Sequence, residues 1–108
     1  MGTEIESKKL KFDSLKEFYP YYLGEHKNKL SRRLHFTGTL GFICTILFAI
    51  GTGIYSYLFL GPILGYGFAW VGHYFFEKNK PATFKFPLYS LASDFIMFYE
   101  ILTGRIKF

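Results

Sequence analysis

The feature that most constrains this chain is an uncharged run from Phe36 to Phe76, which contains no Lys, Arg, Asp or Glu. The run is about twice the roughly 20 residues that one helix needs to cross the hydrocarbon core of a bilayer. Residues that favour a break in a helix lie in its middle: Gly51, Gly53, Gly61 and Pro62. We therefore predict two membrane-spanning helices, at about residues 34–54 and 57–77, that fold back on each other as a hairpin.

A soluble all-α protein is the alternative, because a wholly buried helix can also lack charge. A chain of 108 residues is too short to cover two such helices in succession. Half of the residues are apolar and 22% are aromatic, a composition that excludes an intrinsically disordered chain. The predicted fold class is accordingly all-α, with an integral membrane hairpin.

Basic residues cluster at both ends of the uncharged run. They are Lys27, Lys29, Arg32 and Arg33 before it, and Lys78, Lys80 and Lys85 after it. The positive-inside rule places both ends of the hairpin, and with them the chain termini, in the cytoplasm. Basic residues in these positions are attracted to anionic lipid headgroups, which accounts for the net charge of +5. The expected partner is therefore membrane lipid, and no nucleic acid is expected to bind. A bacterial inner membrane and an endoplasmic reticulum fit equally well.

Outside the hairpin we predict a flexible N-terminus at residues 1–12, a polar connector at residues 24–30 and two further helices. Residues 13–104 form a single predicted domain, in which Asp13 or Ser14 caps an amphipathic helix that ends near Leu23. Ser31 is the predicted N-cap of the first span.

A third helix is predicted at about residues 87–103, because Pro87 suits a first turn and Gly104 a C-terminal cap. We expect a short membrane or re-entrant helix, packed against the cytoplasmic side of the hairpin; an interfacial position is the alternative.

The chain contains three histidines, His26, His35 and His73. The predicted hairpin brings His35 and His73 to the same membrane surface, and His26 lies shortly before the first span. Ionisable residues at membrane depth usually turn inward, towards partners or a cavity. Imidazole and carboxylate ligands without a thiol suit a borderline metal such as Fe(II), Mn(II) or Zn(II). A metal site at the cytoplasmic end of the hairpin is therefore predicted.

Further polar residues are expected near the histidines. Glu77 lies four residues after His73 and would share its helical face, and Glu25, Asn28, Asn79 and Asp94 are candidates for the same neighbourhood. The alternative for each is a structural role, because interfacial His and Glu often only reach the membrane surface or cap a helix. For Glu77 that alternative is an ion pair with Arg33 or a nearby lysine.

Two groups of residues form recognisable motifs. The first is EH-x-N at Glu25, His26 and Asn28, followed by Arg33, His35 and Gly38; the second is G-H-x-x-x-E at Gly72, His73 and Glu77, followed by Pro81 and Ala82. Residues 18–39 and 65–95, which carry these motifs, resemble the DUF962 or Mpo1-like membrane family. The resemblance extends over nearly all of residues 14–104.

The resemblance implies an Fe(II)-dependent dioxygenase of the endoplasmic reticulum that shortens 2-hydroxy fatty acids by one carbon. It implies that His26, His35 and His73 are iron ligands and that Glu77 orients a ligand or completes the site. The chain departs from the enzyme branch at Glu25, where that branch has a second histidine, and near Trp70, where it tends to have glutamine. Glu25 either replaces the missing histidine as a carboxylate ligand, or its presence means that the catalytic activity has been lost or changed.

Two functions follow from this interpretation. In the first, a long-chain 2-hydroxy acid enters from the bilayer and its carboxylate meets Arg32, Arg33 or Lys29. In the second, the chain is a non-catalytic membrane module that binds lipid or a partner. The small-residue stretch GPILGYG permits close helix contacts, and a homo-oligomer stays open.

Overall fold

The computed structural model describes residues 11–108, which form four α-helices and no strand. The helices are α1 (Leu15–Gly24), α2 (Lys29–Thr52), α3 (Leu60–Val71) and α4 (Pro87–Leu102). Two 3₁₀ segments (Tyr55–Phe59 and Ala82–Phe84) and one π-helical turn (Gly72–Glu77) lie between them. The predicted all-α class is confirmed. Most of the predicted flexible N-terminus, residues 1–10, lies outside the described residues.

Helix α1 begins at the predicted cap, because the Ser14 hydroxyl accepts the Glu17 N–H at 3.2 Å. Its fully buried Phe18 and Tyr22 pack in a core cluster with Met97 and Ile101 of α4. Phe12 adds an aromatic contact, with its ring centroid 5.2 Å from that of Phe18. The core of the molecule thus lies between α1 and α4, beside the hairpin.

Helix α2 begins earlier than predicted. Its N-cap is Asn28, whose side-chain oxygen accepts the N–H groups of Leu30 at 2.8 Å and Ser31 at 3.3 Å. The prediction of Ser31 as the cap was wrong, because Asn is as good a cap as Ser and the polar sequence before Ser31 already forms the first turn. Ser31 instead lies fully buried inside the helix.

Helices α2 and α3 pack against each other as a helical hairpin, and glycines bring their backbones close together. A Cβ atom on Gly38 would lie 2.9 Å from the Gly65 carbonyl oxygen, and one on Gly72 would lie 2.8 Å from the Ser31 hydroxyl. Because Gly38 meets Gly65 while the earlier residue Ser31 meets the later residue Gly72, the two arms of the hairpin are antiparallel. The end of the hairpin that carries Ser31 and Gly72 is therefore also the end that carries the histidines.

Within the described residues, α2 is the one helix that is long and apolar enough to cross a membrane. Its 24 residues correspond to about 36 Å, more than the thickness of the hydrocarbon core. The second predicted span is divided into the 3₁₀ segment, the 12-residue helix α3 and the π-helical turn. The structure therefore contains one candidate membrane span in a helical hairpin.

The third predicted helix corresponds to α4. Pro87 occupies its first turn, and Gly104 follows its end in the left-handed conformation with φ of 85°. Helix α4 packs against both α1 and α2. Through these contacts it closes the histidine end of the hairpin on one side.

Candidate metal centre

Three different elements supply the three histidines. His26 lies two residues after the end of α1, where its N–H donates to the Leu23 carbonyl at 3.0 Å. His35 lies in the second turn of α2, and His73 lies in the π-helical turn. Their exposed fractions are 1%, 4% and 2%. The topology brings together three residues that are far apart in the sequence, and it buries all of them.

The three imidazoles converge on one point. One ring nitrogen from each lies within 4.8 Å of the corresponding nitrogen of the other two. The Nε2 atoms of His26 and His35 are 3.1 Å apart, and the ring of His73 lies 4.6 Å from that of His26 and 4.9 Å from that of His35. No other His, Cys, Asp or Glu in the described residues belongs to this group.

The Nδ1 atom of each ring points away from the centre, towards an acceptor. His26 Nδ1 donates to the Tyr22 carbonyl at 2.6 Å. His73 Nδ1 donates to the Asn79 amide oxygen at 2.7 Å. The orientation of that amide is fixed, because its nitrogen donates to two acceptors of Glu25, the carbonyl at 3.2 Å and the carboxylate at 2.7 Å.

Asp94 is the corresponding partner of His35. Its carboxylate lies 3.5 Å from His35 Nδ1 and also accepts a hydrogen bond from the Tyr22 hydroxyl. Burial and the nearby Asp94 raise the pKa of Tyr22 well above its usual value, so the phenol stays a donor. The hydrogen bonds of His26 and His73 favour a proton on Nδ1, and the carboxylate of Asp94 favours one on Nδ1 of His35. This tautomer leaves Nε2 of each ring free to bind a metal.

This arrangement fits a metal ion. Burial, together with the neighbouring His35, lowers the pKa of His26 well below its usual value, so the ring is neutral near pH 7. The 3.1 Å contact between the Nε2 atoms of His26 and His35 is a hydrogen bond when one ring carries its proton on Nε2. When both rings carry their protons on Nδ1, the two Nε2 lone pairs face each other and are available to a cation. Imidazole donors suit Fe, Zn and other borderline metals, and hydrogen bonds from Nδ1 to carbonyl or carboxylate groups are the usual support of metal-binding histidines.

Both glutamates predicted at the site lie in its surroundings and not among the converging groups. Glu25 supports His73 through Asn79. The two carboxylate oxygens of Glu77 accept the backbone N–H of Asn28 at 3.0 and 3.1 Å, which ties the π-helical turn to the start of α2. Their predicted catalytic roles stay predictions; the contacts found are those of residues that position the histidines.

The two arginines predicted to bind a substrate carboxylate contact backbone carbonyls. Arg32 Nη1 donates to the carbonyls of His26 at 3.2 Å and Lys27 at 2.8 Å. Arg33 Nε donates to the Phe108 carbonyl at 3.0 Å, and its guanidinium lies over the Phe108 ring. Neither side chain lines the histidine pocket, so carboxylate binding by them stays a prediction.

Sequence reasoning missed two residues at the site. Tyr22 stacks on the His26 ring at 4.0 Å and donates to Asp94; its four-residue spacing from His26 was the available signal. Ser90 lines the pocket of about 10 Å³ that the three histidines share, and its buried hydroxyl has no hydrogen-bond partner. No pattern in the sequence indicates that this serine faces the histidines.

The link from Glu25 to His73 leads to a prediction. Asn79→Ala removes the acceptor of His73 Nδ1 and frees the ring to rotate. We expect the affinity for Co²⁺ to fall about 10–100-fold, the usual cost of losing an outer hydrogen-bond partner of a metal ligand. Calorimetric titration of the purified protein with Co²⁺ measures this. The control is Lys80→Ala at the exposed neighbouring position; equal affinities in the two variants would contradict the prediction.

One known protein family matches most of the chain. The model of a family described as "2-hydroxy-palmitic acid dioxygenase Mpo1-like" matches residues 12–106 of the 108-residue chain. No curated protein and no solved structure matches the chain. The matched range includes all four helices and all three histidines.

Proposed function

The chain belongs to the Mpo1-like family, and on that premise we propose that it is a membrane-embedded Fe(II)-dependent dioxygenase acting on 2-hydroxy fatty acids. The observation that carries the proposal is the buried group of three histidines, whose ring nitrogens lie within 4.8 Å of one another while two of the rings donate a hydrogen bond from Nδ1. A purely structural histidine needs no such convergence of ring nitrogens. The family description supplies the substrate class.

The proposed membrane position is supported by the surface of the hairpin. Only 28% of the apolar window of α2 is buried, so α2 is unlike the core helix of a soluble protein. Large apolar side chains near the tip are exposed, among them Phe48 at 62%, Phe59 at 79% and Ile63 at 66%. Such a surface is unstable in water and stable in lipid. We propose that both arms of the hairpin cross the bilayer and that the histidine end faces the cytoplasm.

In the proposed site His26, His35 and His73 would hold Fe(II), which when bound supplies the redox chemistry for reaction with O₂. The protein residues have separate duties. Asp94 and Asn79 fix the orientation of two of the ligands, and the rings of Tyr22 and Trp70 help to exclude bulk water from the pocket. Three protein ligands leave coordination positions open for substrate and O₂.

A non-catalytic membrane module that binds lipid is the second candidate. It is favoured by Glu25, whose carboxylate is occupied by Asn79 and so does not supply the ligand that the enzyme branch has at this position. In that case the histidines serve only to hold α1, α2 and the π-helical turn together.

The test uses detergent-purified protein reconstituted with Fe(II) without oxygen. Labelled 2-hydroxypalmitic acid is then added with and without O₂, and the products are separated by chromatography. We expect an acid one carbon shorter, formed only with O₂ and only after Fe(II) loading. A wild-type protein that binds Fe(II) stoichiometrically and gives no shortened acid would favour the non-catalytic module.

A further inference from the structure

We propose that an apolar cavity between α2, α3 and α4 holds the alkyl chain of the substrate, and that Gly65 is the position that keeps this cavity open. The assignment rests on the proposed function for the chemistry of the head group. It adds where the alkyl chain of the substrate lies and which residue determines the specificity for chain length.

The cavity has a volume of about 250 Å³ and two unlike ends. His35 and Asp94 lie at the end next to the histidines, and Thr39 and Tyr66 also line the wall. The rest of the wall is apolar, with Phe42, Leu91 and Phe95 as its large apolar side chains. A ligand that matches this wall carries polar atoms at one end only and a long apolar chain beyond them.

The cavity adjoins the histidine pocket. His35, Tyr66 and Asp94 line both spaces. An alkyl chain in the cavity would therefore lie next to the histidine pocket, separated from it by the side chains that line both spaces. Three other pockets, of about 220 to 350 Å³, have no histidine in their lining.

The dimensions indicate a single alkyl chain. His35 and Phe42 are seven residues apart on α2, which corresponds to a depth of about 10 Å. Leu91 and Phe95 are 39% and 36% exposed, so the far end of the cavity opens at the outer surface of the helices. The chain of a long fatty acid exceeds this depth, and its terminal part would extend into the surrounding lipid.

Gly65 forms part of the cavity wall at a point where space is available. A Cβ atom there would lie 3.8 Å from the Phe42 ring and 3.9 Å from the Gly38 carbonyl oxygen, which is ordinary van der Waals contact. A small side chain is therefore tolerated by the helix packing. A larger side chain extends into the cavity and occupies the volume that the substrate chain needs.

Gly67 provides a matched control on the same helix. A Cβ atom on Gly67 meets nothing within 4 Å, and this residue lines a different groove, with Leu34 and Val71. Gly67→Leu therefore adds the same side chain to α3 without entering the proposed chain site.

The test measures binding without turnover. Wild type, Gly65→Leu and Gly67→Leu are loaded with Co²⁺ and titrated without oxygen with radiolabelled 2-hydroxypalmitic acid and with 2-hydroxybutyric acid, which has no long chain. We expect Gly65→Leu to bind the long acid at least tenfold more weakly and the short acid as the wild type does. Gly67→Leu should bind both acids like the wild type. Unchanged long-chain binding by Gly65→Leu, or no long-chain binding by the wild type, would overturn the assignment.

Two further measurements keep this test decisive. If Gly65→Leu does not fold or does not bind Co²⁺, Leu91→Trp at the partly exposed mouth replaces it, with the same expected loss of long-chain binding. The result is also separable from the proposed function. Selective binding of the long acid without any O₂-dependent product would support the cavity assignment and rule out the dioxygenase. Normal turnover of the long acid by the cavity variants would support the dioxygenase and overturn the cavity assignment.

Discussion

His73→Ala is expected to abolish stoichiometric metal binding and, with it, O₂-dependent turnover. His73 is 2% exposed and supplies one of three converging imidazoles, so no neighbouring side chain can replace it. The loss of affinity should exceed the about 10–100-fold that the loss of an outer hydrogen-bond partner costs. Metal analysis after anaerobic Fe(II) reconstitution measures the stoichiometry directly.

A melting experiment separates loss of a ligand from loss of the fold. A metal that binds only the folded protein stabilises it by about 2.7 kcal/mol at a concentration 100 times its Kd. Fe(II) should therefore raise the melting temperature of the wild type and leave that of His73→Ala unchanged. His73→Gln serves as a second variant that retains a polar side chain. A wild type whose melting temperature does not respond to any divalent metal would contradict the metal centre and support a structural role for the histidines.

The convergence of the histidines was predictable because it depends on features that a sequence displays. The uncharged run has a break in its middle, so its two ends meet, and His35 and His73 lie at those ends. His26 precedes the first arm by too few residues to lie elsewhere. The approach of His35 and His73 thus follows from hairpin topology, whereas the burial of all three histidines also depends on α1 and α4.

The partners of the histidines were less predictable, because they depend on local backbone geometry. A regular α-helix would place Glu77 on the same face as His73. The chain instead forms a π-helical turn over Gly72–Glu77, and Lys78 follows in the left-handed conformation with φ of 60°. Glu77 consequently reaches the Asn28 N–H, and Asn79 takes the position beside His73. Such turns are rare and frequently occur at functional sites.

The cavity was not predictable from hydropathy, since apolar residues line the cavity and the lipid-facing surface alike. Residues at the cavity and residues at the lipid-facing surface differ in how close they lie to the neighbouring helix. Gly38, Gly65 and Gly67 look equivalent in the sequence, yet one touches backbone, one borders the cavity and one faces open space. Only the packed helices assign these three roles.

Gly38→Val is expected to have the largest effect on stability among the hairpin glycines. A Cβ atom at Gly38 would lie 2.9 Å from the Gly65 oxygen and 3.1 Å from the Leu64 oxygen. Both are backbone atoms, so α2 and α3 must separate to make room. Overpacking of this kind typically costs about 1–3 kcal/mol, and we expect a loss in the upper part of that range by thermal unfolding in detergent.

The same change should weaken metal binding, and this outcome distinguishes it from a remote packing defect. Gly38 lies three residues after His35, and Gly65 is on the helix that leads directly to His73, so separating the helices moves one ligand away from the other. Gly51→Ala on α2 is the control, since its Cβ meets nothing within 4 Å, and it should be neutral or slightly stabilising. If Gly38→Val and Gly51→Ala unfolded alike and bound Co²⁺ alike, the close contact at Gly38 would not be what holds His35 and His73 in place.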